Sequence, residues 1–174
     1  ALLVARGRPG GADARRHEQE ARAALRAQRP THVILNIDEN EKALAGELAG
    51  WVPHIIVTHP LAPLDNLALF RLLGAIFLRE DAAEALCRRF IAEYESLRIG
   101  TWPARRALYL IWRDPWIAVG CDTYIARTLA LIGLQTPPQF MSARYPRIDL
   151  RAGWMDDIEL VLLPSEPHPF RARH

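Results

Sequence analysis

The chain has 174 residues, 50% of them hydrophobic and 24% charged, enough for one sizeable core or two small lobes. Its 22 basic and 20 acidic residues leave a net charge of +2 with no basic block, which argues against nucleic acid as a partner. Cys87 and Cys121 match neither a metal-ligand spacing nor a disulfide framework, and no stretch is apolar enough to span a membrane. The opening "ALLVARGRPGG" holds too short an apolar run for a signal peptide. All basic residues except Lys42 are arginine, a bias that reads as genome composition rather than function.

In chain order, Asp13 is placed to cap a helix running to about Gln28, and Pro30 stops it. "HVILN" (32–36) is short, β-branched and continuous, the pattern of a strand covered on both faces. Asn40 or Asp38 then starts a short helix toward Ala49, and "HIIVT" (54–58) is a second strand of the same kind. Between Asp65 and Phe77, apolar residues recur at helical spacing. In "EDAAEALCRRFIAEYESLR", Ala83, Leu86, Cys87, Phe90, Ile91, Tyr94 and Leu97 form one stripe, with Glu84 and Arg88 paired four apart. A helix of ~20 residues reaches ~30 Å, long for a small domain. Cys87 falls on its apolar side and reads as a small buried hydrophobe.

"ALYLI" (107–111) is a third buried-type strand, followed at once by Trp112, Arg113, Asp114, Pro115 and Trp116. Asp122 caps a helix that Gly133 closes, and the proline-rich stretch from Leu134 to Leu150 reads as loop. "ELVLL" (159–163) is the last strand. Short apolar strands alternating with helices give an α/β class with parallel pairing. "PTHVILNIDENEK" and "DIELVLLPSEPHPF" are each a strand followed by an acidic loop, on opposite sides of the long helix. Two similar lobes joined by that helix explain its length; one continuous sheet covered by it is the alternative.

Ligands of open α/β sheets sit beyond the carboxyl ends of the strands, and all four ends here carry reactive or aromatic groups. They are Asn36, Asp38, Glu39 and Glu41; His59 with its prolines; Trp112, Arg113, Asp114 and Trp116; and Ser165, Glu166, His168 and Phe170. Each has a plainer reading. A loop tryptophan often only packs, Arg113 can pair with Asp114, the acids can be a solvated helix start, and the histidines can be exposed turn residues. No phosphate loop, nucleophile elbow or zinc-protease helix is present, so no catalytic residue is assigned. Flat aromatic faces with a few ionic groups suit a recognition surface instead.

The segments "YLIWRDPWIAVGCDTYIARTLALIG", "THVILNIDENEK", "HIIVTHPLAPLDNLALFRLLG" and "RYP…LVLLPSEPHPFRARH" resemble the helical-backbone metal receptors. These are cobalamin-binding-protein-like members of the class III periplasmic substrate-binding protein superfamily. The resemblance implies two Rossmann-like lobes, 1–78 and 101–174, bridged by a long helix at 79–100. It implies a cleft that binds cobalamin or another metal chelate without a catalytic cofactor, and a monomer served by an ABC permease. Family members carry a further strand, a helix and a "VGGT"-like segment at the start, to be sought before Ala1 or near "GRPGGA", and another strand and helix at the end. Trp112 and Trp116 would offer ring faces to a macrocycle, Arg113 would reach peripheral carboxylates or amides, and Tyr145 matches an aromatic position over the ligand. Asn36, Asp38 and Glu39 would face them, with His59 and Glu166 beside the ligand. Importer-coupled relatives dock through one acidic residue on each lobe; Glu41 lies near the first position and Arg151 occupies the second. The family is periplasmic or extracytoplasmic, and a cytoplasmic corrinoid-handling role stays open beside it. Haem or a ferric siderophore, with His59 or His168 on iron, is the alternative ligand. A metal-dependent hydrolase using the acidic loops is the alternative of another class.

Overall fold

The computed structural model of the chain describes residues 12–171, with side chains from residue 19 onward. It divides into two compact units between His59 and Pro60. Each is a small α/β assembly.

In the first unit, α1 (Ala12–Ala27) leads through a turn at Arg29 into β1 (His32–Asn36), then α2 (Lys42–Ala49) and β2 (His54–Thr58). α1 already contains Asp13 in its first turn, and that side chain lies outside the described residues, as does "GRPGG". β1 and β2 pair in parallel, His32 opposite His54 and Asn36 opposite Thr58. Leu35, Leu48 and Val52 are the buried centre, with Leu25, Val33, Leu44, Trp51 and Ile55 packed on them. Arg22 on α1 meets Glu47 on α2 at 2.8 Å.

The strands are not covered on both faces: Ile34 is 45% and Val57 52% exposed while Leu35 is buried. A wholly apolar run conceals its period, because alternation shows only when the open face is polar. Nor does Asn40 or Asp38 cap α2. Glu41 stands at the cap position and makes no capping hydrogen bond with its side chain, and both asparagines of the turn are spent one turn earlier.

The second unit holds α3 (Asp65–Ile76), α4 (Glu80–Ile99), β3 (Arg105–Trp112), β4 (Ile117–Ala118), α5 (Tyr124–Ala130), β5 (Leu134–Gln135) and β6 (Leu160–Leu162). β3 is the axis of its sheet. It pairs in parallel with β5 at Arg105 and with β6 across Ala107–Tyr109, and antiparallel with β4 at Leu110 and Trp112. The pairing is therefore mixed rather than parallel throughout. A four-residue return brings the chain back on itself immediately after Trp112, where a parallel crossover would need a dozen or more residues.

Leu108, Leu110, Ala118 and Phe140 are its buried centre, ringed by Trp116, Ile148, Trp154 and Phe170 among others. The 20 residues of α4 match the expected length, and Ala83 and Cys87 are buried. The rest of the stripe divides: Phe90 and Tyr94 are half-buried, while Leu86, Ile91 and Leu97 lie open. α3 meets α4 closely, since a methyl group at Gly74 would come 2.5 Å from Ala83 Cβ. Phe70 packs edge-on against Phe90 at 5.8 Å. Glu84 spends both oxygens on Arg71 of α3, at 2.5 and 3.1 Å, rather than on Arg88. A bidentate guanidinium outcompetes a mobile neighbour on the same helix.

α5 is capped by Thr123, one residue after the expected Asp122. The buried Thr123 hydroxyl accepts from Ala126 N at 3.1 Å and donates to Gly120 O at 2.9 Å. Asp122 is drawn instead to Arg127 and Arg144. Gly133 takes φ 75° where a side chain would strike the Pro103 carbonyl, and so ends the helix as expected.

Candidate functional site

The turn after β1 is held by its own asparagines. Asn36 Oδ1 accepts from Asp38 N at 2.8 Å, and Asn40 Oδ1 accepts from Asn36 N at 2.9 Å. Ile37 N reaches Thr58 O at 3.1 Å, while the Thr58 hydroxyl donates to Leu35 O at 2.9 Å. The Asn36 amide oxygen is thus committed to backbone, as Asx turns require. Asp38 Oδ1 lies 3.5 Å from His59 Nε2, so the acid after β1 and the histidine after β2 do come together. Glu39 is exposed. A cavity of about 390 Å³ opens beside this turn, lined by Asn36, Ile37, Asn40, Lys42 and Val57 among others.

The second group is built on the β3–β4 return. Trp112 ends β3, Asp114 takes φ 59° and Trp116 precedes β4, so one short hairpin presents both indoles. Their environments differ. Trp116 packs against the core and stacks on Phe170, with centroids 6.2 Å apart and planes within 4°. Trp112 is 38% exposed and meets His168 edge-on at 5.5 Å; His168 in turn meets Phe170 at 4.5 Å. Four rings therefore form one continuous assembly that begins in the core and ends at the surface. The Arg113 guanidinium lies 5.6 Å above the Trp116 ring, with Asp114 3.7 Å from its Nε. The expected pairing with Asp114 is present, and the same guanidinium is also a cation over an indole.

The segment after β6 supplies the other half of this assembly, and Glu166 there is exposed. Residues 144–148 run antiparallel beside 116–120, with Ala118 N on Pro146 O at 3.0 Å and Ile148 N on Trp116 O at 3.0 Å. This places Tyr145, 39% exposed, on the neighbouring segment with the Arg144 guanidinium 5.8 Å over its ring. The approach is so close at Gly120 that any side chain would overlap the Ala143 carbonyl.

His168 and Phe170 emerge as partners of the two tryptophans. Their spacing of two was the available signal, and a tight turn with Phe170 N on His168 O at 2.8 Å brings the two rings together. Among the described residues, no group of three or more His, Cys, Asp or Glu side chains is gathered in a way that could hold a metal ion. Burial raises the thiol pKa of Cys121 above its ordinary value, which disfavours the reactive thiolate.

No protein-family model matches the sequence, and no curated protein matches it. Solved structures do match in fold. The periplasmic vitamin B12 binding protein BtuF of Vibrio cholerae is 11% identical with a TM-score of 0.67, over 83% of this chain and 69% of that one. The periplasmic heme binding protein HutB of Vibrio cholerae is 17% identical with a TM-score of 0.63, over 80% and 56%. IsdE of S. aureus, solved in complex with heme, is 15% identical with a TM-score of 0.61, over 78% and 53%. The chain thus spans little more than half the length of the latter two. What it shares with all three is the α/β fold of periplasmic binding proteins.

Proposed function

We propose that this chain binds a metal chelate without catalysing its conversion, with cobalamin as the ligand. The observation that carries the reading is the surface end of the ring assembly. Trp112 and His168 form its outer end, and Arg113 stands over the inner indole. Aromatic faces bury large area at small entropic cost, and a guanidinium recognises carboxylate or amide oxygens in a fixed plane. The fold supports it, because proteins that bind vitamin B12 or heme share it.

In this proposal Trp112, Arg113, Trp116, Tyr145 and Glu166 contact ligand from the second unit, and Asn36, Asp38, Glu39 and His59 from the first. The lobe boundaries 1–78 and 101–174, joined by 79–100, belong to the same reading, as do an extracytoplasmic site of action and an ABC permease as partner.

Calorimetric titration with cyanocobalamin tests it. Saturable heat with micromolar or tighter affinity is expected, weakened at least ~10-fold in Trp112→Ala. Absence of heat at high micromolar ligand removes corrinoids. Haem is the second reading, favoured by the placement of His59 beside Asp38 and of His168 beside Trp112. Titration with hemin would then shift the Soret absorbance, and His59→Ala or His168→Ala would abolish the shift. The hydrolase reading requires divalent metal to raise the melting temperature; a flat response to Mg, Mn and Zn is expected.

A further inference from the structure

At the opposite ends of β1 and β2, where the strands begin, a second cavity of about 400 Å³ lies in the first unit. It is lined by Arg26 and Arg29 from the end of α1, Pro30 and Thr31 from the turn, and Trp51 and Pro53 before β2. We propose that this cavity binds the oxyanion of a small molecule, a phosphate or a carboxylate. The inference is independent of the chelate reading, because it uses neither the hairpin nor the acidic turn.

Charge is the first argument. Among the described residues, the lining holds two guanidiniums and no carboxylate. Two acidic side chains of this unit are engaged elsewhere: Glu47 with Arg22, and Asp38 with His59. Arg26 is instead laid over the Trp51 ring, 4.9 Å from its centroid. A guanidinium on an aromatic face is held in orientation while its N–H edge stays available for a planar bidentate acceptor.

Hydrogen bonding is the second. Trp51 Nε1 is buried from solvent and has no acceptor among the described residues. A buried donor without an acceptor is costly, and a ligand oxygen admitted by a shift of a covering side chain removes that cost. The indole N–H can only donate, so it selects acceptors, as do the two guanidiniums.

Shape is the third. Arg29 takes φ 49° immediately before Pro30, which fixes the course of the turn between α1 and Thr31. Pro53 stiffens the facing wall. Both walls are therefore set before a ligand arrives, which lowers the ordering cost of binding.

Calorimetry with inorganic phosphate, pyrophosphate and benzoate, each at low salt, tests the proposal and separates the phosphate from the carboxylate source. At least one anion is expected to bind saturably with a Kd below ~1 mM, weakening as salt rises. Arg26→Gln and Arg29→Gln should each weaken it ~10-fold or more, and Trp51→Phe, which keeps the ring, several-fold. Arg89→Gln, on exposed α4, should change nothing. Far-UV circular dichroism and melting temperature show that the variants remain folded. Failure of all three anions to saturate at ~10 mM overturns the proposal, and so does equal weakening in Arg89→Gln.

Discussion

The turn after β1 and the hairpin after β3 look alike as sequence: each follows a short apolar strand with a burst of polar or aromatic residues. They are stabilised in different ways. The first is tied by its own amide side chains to its own backbone, Asn36 and Asn40 each closing one hydrogen bond. The second is held by rings, Trp116 stacked on Phe170 and anchored in the core. A loop held by its polar groups has fewer of them to offer a ligand. A loop held by its buried aromatic leaves the outer aromatic, Trp112, partly open at the surface.

The strands beneath provide the sharpest way to break this comparison. Leu108 is 0% exposed in the centre of the second unit, whereas Ile34 is half open in the first. Leu108→Ala should cost about 2–5 kcal/mol in urea unfolding, and Ile34→Ala under about 1 kcal/mol. Equal costs would mean that both sheets are covered alike. Next in size, Thr123→Ala removes both the cap of α5 and the bond to Gly120, for about 1–2 kcal/mol, while Asp122→Ala should cost less.

At the loops themselves, Asn36→Ala should act mainly on stability, lowering it by about 1 kcal/mol, and weaken the chelate less than the loss of Trp112 does. Trp112→Ala should do the reverse, sparing the melting temperature while weakening the chelate at least ~10-fold. The smallest effect lies outside both loops. The hydrogen bond from Arg71 holds the Glu84 carboxyl below its ordinary pKa. A lowered folded pKa gives stability that is present above the unfolded glutamate range and lost as pH falls through the folded value. Both groups are exposed, so Arg71→Gln should show a slight deficit at neutral pH that closes in acid, read by urea titration at each pH.

Much of the skeleton was legible. The four apolar runs became β1, β2, β3 and β6, and the periodic segment became a 20-residue helix. β4 and β5 were not legible, because strands of two residues carry no period and exist only through the partner that β3 provides. The cap of α5 was misplaced by one residue because Asp122 and Thr123 are both good caps; what decides is the Gly120 carbonyl within reach of the threonine hydroxyl. The tryptophans were conspicuous in sequence. Their sharing of one assembly with His168 and Phe170, more than fifty positions away, depends on β6 lying against β3.

Gly74 has a mechanical corollary. With no side chain between them, α3 and α4 are pressed together like the two leaves of a laminated spring, and Phe70 against Phe90 fastens the same joint farther along. A laminate resists flexure far more than either leaf alone, so deformation of this pair should concentrate in the bend at 77–79, where Leu78 adopts φ 53°. Enlarging residue 74 to alanine would delaminate it, and hydrogen exchange along both helices would quicken together.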